Sequence, residues 1–205
     1  MSETTRPHVL LVDDKESVLE LLARILGQTY EVTATADPLN AMALLREVPF
    51  DVLVTDIRMP RATGFDLLAA ARRCARPPRV VMLTGHASVP DAVEAMRLGA
   101  HDYIAKPLDA EEIALVVARA LHGPALAPAA GAAQDAEGGG ADVPFHDAVI
   151  AARDRASRAY LVSLMGEFHG NVTHAARRAG ITRESLHRLL KRYGVRSETF
   201  KTTGS

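Results

Sequence analysis

The chain has 205 residues, 48% of them apolar, and a formal net charge of −1 at pH 7, enough apolar material for one domain of common size and a smaller second one. A single cysteine, Cys74, excludes an internal disulfide and a cysteine-built zinc centre. No run approaches the roughly 18 apolar residues of a membrane span, and the amino terminus has no signal-peptide character, so no membrane and a reducing cytoplasm are expected.

The even charge hides an asymmetry. From Pro144 onward there are 11 Lys and Arg against 5 Asp and Glu, and the remainder holds 13 bases and 20 acids. A basic tail behind an acidic front suggests a polyanionic partner for the tail.

His8 to Val12 is an apolar strand that ends at Asp13 and Asp14. Val18, Leu21, Leu22, Ile25 and Leu26 recur at helical spacing over Glu16 to Leu26, and Gly27 stops the helix. Tyr30 to Thr35 alternates as a strand, and Asp37-Pro38 reads as an N-cap with Pro at the first helical position. Val52 to Thr55 is a short apolar strand closed by Asp56, with Pro60 and Gly64 forcing a loop before a helix through Phe65, Leu67 and Leu68. Arg79 to Leu83 is a fourth strand, ending at Thr84-Gly85, and Val89-Pro90-Asp91 opens a helix closed by Gly99. His101 to Ile104 is a fifth strand, followed by Lys106-Pro107 and a helix capped by Asp109 that runs to Leu121.

Five alternations of strand and helix call for a parallel sheet with helices on both faces. Right-handed crossovers leave few topologies, of which the flavodoxin-like order 2-1-3-4-5 is expected. That order brings Asp13, Asp14, Asp56 and Lys106 together at one end of the sheet, with Thr84 alongside. Three carboxylates at one point repel each other and need a cation. Hard oxygen donors suit Mg²⁺, which takes only a few protein oxygens and keeps its waters. The arrangement reads as an acceptor carboxylate, Asp56, that becomes an acyl phosphate. Lys106 supplies fixed positive charge and Thr84 a hydroxyl that bonds the phosphoryl oxygens.

The run from His122 to Val143 turns to Ala, Gly and Pro and reads as a flexible linker. Phe145 to Phe168 is a long helical stretch, with Phe145, Val149, Ala152, Ala156, Ala159, Val162 and Met165 as its apolar repeat. Asn171 caps a short helix over Val172 to Ala179, Gly180 suits a left-handed turn, and Thr182 caps a second short helix to about Tyr193. Two short helices joined by a tight Gly turn are a helix-turn-helix candidate, with Ala175 and Ala176 small enough for close crossing and Leu186, Leu189, Leu190 and Tyr193 inward.

Residues 8–121 resemble a response-regulator receiver domain. The resemblance is carried by Val12-Asp13-Asp14, Asp56-Ile57-Arg58-Met59-Pro60 with Gly64, Leu83-Thr84-Gly85, and Gly99-Ala100-His101-Asp102-Tyr103-Ile104-Ala105-Lys106-Pro107. It implies that Asp56 receives phosphate from a sensor histidine kinase. It also implies that Asp13, Asp14, Asp56 and the backbone carbonyl of Arg58 bind Mg²⁺, that Thr84 and Tyr103 form a coupled switch pair, and that the Lys106-Pro107 bond is cis. Arg58 and His86 are positions the family leaves open, and both are expected to flank the phosphoryl group and set its lifetime. Haloacid-dehalogenase-like phosphatases also use an Asp after a strand, but need a second acid two residues on, where this chain has Arg58.

Gly170 to Arg188 resembles the Fis-type helix-turn-helix of nitrogen-regulation-class response regulators. The chain departs from that pattern at Ala179, His187 and Leu189. The resemblance implies that the second helix enters the major groove of double-stranded DNA. Thr182, Arg183, Glu184, His187, Arg188 and Lys191 are the expected contact positions there, with Arg177 and Arg178 on phosphate. The Phe145–Phe168 helix resembles the dimer-forming helix of the same module, so a homodimer on a palindromic operator is expected.

The expected organisation is a receiver over 1–121, a linker over 122–143, a helix-turn-helix module over 144–196 and a tail over 197–205. The ATPase module usual in that class has no counterpart, and no G-x-x-x-x-G-K phosphate loop occurs. The expected function is that of a phosphorylation-dependent transcriptional regulator, not an enzyme beyond self-phosphorylation from a phosphodonor and slow autodephosphorylation. The alternative is a constitutive architectural DNA-binding protein or a receiver-based adaptor.

Overall fold

The computed structural model describes residues 6–85, 89–122 and 145–200. The chain divides into two compact units, residues 1–110 and 111–205. The first holds β1 (His8–Val12), α1 (Glu16–Leu26), β2 (Glu31–Thr35), α2 (Pro38–Glu47), β3 (Val52–Asp56), α3 (Gly64–Ala71), β4 (Arg79–Thr84), α4 (Val89–Arg97) and β5 (Asp102–Ala105). The strands form one parallel sheet in the order β2-β1-β3-β4-β5, as expected from the alternation.

Burial follows from that order. The central strands β1, β3 and β4 are almost wholly buried, while the edge strand β2 is half-buried to exposed. Continuous apolar runs such as Val9-Leu10-Leu11-Val12 and Val52-Leu53-Val54 are what a strand covered on both faces requires. The step from β1 to β2 runs one way along the sheet and the step from β2 to β3 runs back. With right-handed crossovers this puts α1 on one face and α2, α3 and α4 on the other.

Local chemistry fixes the helix starts. The Asp37 carboxylate accepts from Leu39 N at 2.9 Å with Pro38 at the first helical position, as expected. Thr63 and Asp66 form a reciprocal capping box at α3 that the sequence reading did not identify. The fifth strand starts at Asp102 rather than His101, and runs one residue further, to Ala105.

The second unit holds α5 (Ala110–His122), which straddles the division, α6 (Phe145–Glu167), α7 (Val172–Ala179), α8 (Arg183–Arg192) and a 3-10 turn, Ser197–Phe200. Leu115 and Ala118 of α5 share one core with Leu161, Leu164 and Met165 of α6, Ala175, Ala176 and Ala179 of α7, and Leu186, Leu189 and Leu190 of α8. The linker expected over 122–143 lies outside the described residues apart from His122.

The helix expected from the apolar repeat is present as α6; its core face is Ser157, Tyr160, Leu161, Leu164 and Met165, whereas Ala159 of the repeat is exposed and Ala156 and Val162 are half-buried. Met165 alone of the expected repeat is fully inward among the described side chains. The alanines fit a helical period on several faces, and the larger Tyr160, Leu161 and Leu164 decide which face fills the core.

Candidate functional site

Each acid or base of the expected cluster sits where a strand ends. Asp13 follows β1, Asp56 closes β3, Thr84 closes β4 and Lys106 follows β5. The register sets Val12 beside Thr55, Asp56 beside Leu83 and Thr84 beside Ala105, so these ends lie at one edge of the sheet. The Lys106 backbone is anchored there because its N–H donates to the Thr84 carbonyl at 2.7 Å.

The Lys106 ammonium donates to Asp13 Oδ2 at 2.5 Å and to Asp56 Oδ1 at 2.6 Å. Asp13 has no exposed surface and Asp56 keeps 6% of its own. The second oxygen of each carboxylate is also engaged. Asp13 Oδ1 accepts from Lys15 N at 3.0 Å, and Asp56 Oδ2 accepts from Arg58 N at 2.8 Å. Burial by itself pulls the Lys106 pKa down, but the hydrogen bonds and charges of Asp13 and Asp56 outweigh it and hold the ammonium above its ordinary range. Asp14 is exposed next to this pair.

Thr84 and Tyr103 are both buried. Thr84 pairs with Ala105 across the β4–β5 ladder, and Tyr103 lies two residues before Ala105, so the two side chains share one face of the sheet. The Lys106-Pro107 bond is cis. The Arg58 side chain is largely exposed and reaches Asp91 at 3.5 Å. His86 lies outside the described residues.

Among the described residues no three or more His, Cys, Asp or Glu side chains converge as a ready metal cage. The donor chemistry still fits a hard divalent cation. Asp13, Asp14 and Asp56 offer only carboxylate oxygens, and the one ammonium of Lys106 leaves the group net negative.

In the second unit, Asn171 Oδ1 accepts from His174 N at 3.2 Å and Thr182 Oγ1 accepts from Ser185 N at 3.1 Å, so both expected caps are in place. Gly180 between α7 and α8 adopts φ 68°, the left-handed conformation its position needs. Leu186, Leu189 and Leu190 turn inward, which leaves Arg183, Glu184, His187, Arg188 and Lys191 exposed on the outer face of α8. Thr182, Arg177 and Arg178 are exposed as well. The Tyr160 hydroxyl is buried without a hydrogen-bond partner among the described residues, and burial pushes its pKa up to about 12.

A family model for the response regulator receiver domain matches residues 9–118. The chain is a response regulator. A second family model, for the Fis family of bacterial regulatory proteins, matches residues 153–193 of this response regulator. The photosynthetic apparatus regulatory protein RegA of Rhodovulum sulfidophilum is 30% identical over 93% of this chain and 94% of its own. The regulatory protein AtoC of Escherichia coli is 37% identical, but the match takes in 55% of this chain and 25% of AtoC. The response regulator thus spans about a quarter of AtoC and of several other curated relatives, and nearly all of RegA. The chemotaxis response regulator CheY4 of Vibrio cholerae superposes with a TM-score of 0.54 at 32% identity, over 57% of this chain and all of CheY4. No helix among the described residues is long and apolar enough to cross a membrane.

Two features of the response regulator escaped the sequence reading. Gly64, expected as a loop-former and a motif position, also marks a close backbone approach. A Cβ there would run into the carbonyl oxygen of Asp56 and stand 3.0 Å from Ile57 Cα, so the α3 start is pressed against the end of β3. The Gly64 N–H donates to the Ile57 carbonyl at 2.9 Å and closes that loop. The second feature is the acidic first turn of α5, Glu111 and Glu112, which pairs with arginines of α6 and α8. The spacing of Gly64 from Pro60 hinted at the first. No local pattern announces the second.

Proposed function

We propose that this response regulator accepts a phosphoryl group on Asp56 from a phosphohistidine of a sensor kinase and regulates transcription by binding double-stranded DNA through α8. The observation that carries the reading is the Lys106 ammonium shared between Asp13 and Asp56, which pins a charged lysine beside a nearly buried acceptor carboxylate. An Asp56 oxygen attacks phosphorus, the new P–O bond forms as the P–N bond breaks, and the leaving imidazole keeps the electron pair. Lys106 offsets negative charge on the transferring oxygens. The backbone N–H of Arg58 holds the carboxylate in orientation. Asp13, Asp14, Asp56 and the backbone carbonyl of Arg58 would hold Mg²⁺, which supplies charge neutralisation for phosphoryl transfer. Thr84 and Tyr103, on one face of the sheet, would report the phosphoryl group by shifting an existing equilibrium.

At the other end, Arg177 and Arg178 would hold backbone phosphate, while Arg183, His187 and Arg188 would face base edges, with Thr182, Glu184 and Lys191 at the margin. A homodimer formed through α6 would present two such helices to a palindrome. A cytoplasmic location follows from this role.

The test is labelling by radioactive acetyl phosphate, with Asp56→Asn as control and EDTA against Mg²⁺. Label should enter the wild type only, and only with Mg²⁺. Light scattering with and without beryllofluoride, which stands in for the phosphoryl group, reads the dimer in the same samples. Equal labelling of Asp56→Asn would move the acceptor elsewhere.

A further inference from the structure

The first turn of α5 carries Glu111 and Glu112, well placed for carboxylates because the helix amino terminus is the positive end of its dipole. Their partners are arginines of α6 and α8. Glu111 Oε1 pairs with Arg188 Nε. Glu112 Oε1 lies 2.8 Å from Arg153 Nη2 of α6, and its Oε2 lies 3.8 Å from Arg192 Nη2 of α8. Arg188 and Arg192 are one turn apart, so two neighbouring guanidiniums of α8 face two neighbouring carboxylates.

The helix that bears these acids is fixed in place. Leu115 and Ala118 are fully buried in the core that also holds Leu186, Leu189 and Leu190. The Arg119 side chain, 1% exposed, donates from Nη1 to Ser157 Oγ at 2.9 Å and to the Arg153 carbonyl at 3.2 Å. The acids therefore face α8 because α5 is packed into the same core.

The pairs differ in depth. Glu112 and Arg153 each keep 13% of their side-chain surface, whereas Arg188 keeps 66% and Arg192 keeps 49%. Glu112–Arg153 is built in. Glu111–Arg188 lies at the surface, where an ion pair is weak and exchanges readily. A guanidinium holds carboxylate and phosphate oxygens in the same fork geometry. A DNA base edge or phosphate that takes Arg188 therefore competes with Glu111 for it.

From this we infer that Glu111, supported by Glu112, is an internal anion that competes with DNA for Arg188 and Arg192 of α8. The inference rests on the proposed role of α8 in DNA binding. It adds that the free protein holds part of that surface closed with its own carboxylates.

The test is a double-mutant cycle on the full chain, with Kd for a random-sequence DNA duplex read by fluorescence anisotropy at low salt. Glu111→Gln should tighten binding by up to about fivefold, the equivalent of a surface ion pair. Arg188→Gln should weaken it. In the Arg188→Gln background the Glu111 substitution should give little further change, because the competed arginine is gone. An equal gain in both backgrounds would mean a general effect of removing negative charge and would overturn the inference. No gain from Glu111→Gln, with Arg188→Gln still weakening binding, would overturn it while leaving the DNA-binding role of α8 intact. If the wild type does not bind DNA at all, the functional reading fails first and the inference goes with it.

Discussion

Replacing Lys106 by Met should destabilise the first unit and make its stability depend on Mg²⁺. Lys106 keeps 16% of its side-chain surface, Asp13 none and Asp56 8%. The substitution leaves two carboxylates, nearly buried and close to each other, with no cation between them. Removing one partner of such a buried pair costs roughly 3–5 kcal/mol. A divalent cation can replace the lost charge, and a ligand at about a hundred times its Kd stabilises by roughly 2.7 kcal/mol. Urea unfolding at neutral pH, in EDTA and in Mg²⁺, reads both effects. The variant should lose about 3 kcal/mol or more in EDTA and regain more in Mg²⁺ than the wild type does. The pH sign is also fixed. The raised Lys106 pKa means its contribution is complete below the ordinary value of 10.5 and is lost only as pH climbs through the higher folded value. A variant as stable as the wild type in EDTA, or an equal response of both to Mg²⁺, would refute the charge argument.

Three further outcomes follow from the same geometry. Gly64→Ala should cost about 1–3 kcal/mol through overpacking against the end of β3, and should also slow phosphoryl labelling at the proposed acceptor Asp56, which a remote destabilising change would not do. Asn171→Ala and Thr182→Ala should each lower stability by about 1 kcal/mol in thermal unfolding, through loss of the α7 and α8 caps. The Asp66 pKa is lowered chiefly by the Thr63 backbone N–H and then by its hydroxyl. Its contribution is present above the ordinary value of 3.8 and lost as pH falls through the lower folded value, so Asp66→Asn should flatten the acid limb of a stability–pH curve.

The sheet was legible because each strand is an apolar run with a chemical full stop. Asp13, Asp56, Thr84 and Lys106 all end such runs, and one topology suffices to bring them together. The α7–α8 turn was legible for a similar reason, since Asn171, Gly180 and Thr182 are local signals with local causes. The α6 core face was not legible. An alanine-rich helix has no strong period, and the choice between faces is made by what α7 and α8 press against it. The pairing of Glu111 with Arg188 was not legible either, since the partners stand far apart in sequence and meet only through the docking of α5. Lys106 was expected as a fixed charge, but its simultaneous grip on Asp13 and Asp56 is set by how three strand ends converge.

The most direct test of the account is DNA affinity measured by anisotropy on a duplex carrying the protein's own selected site, with and without beryllofluoride and Mg²⁺, for the wild type and Asp56→Asn. The account predicts that the wild type binds about tenfold tighter with beryllofluoride, a coupling of roughly 1.4 kcal/mol, and that Asp56→Asn does not respond. Equal wild-type affinity in both conditions would contradict a phosphorylation switch and leave a constitutive DNA-binding protein.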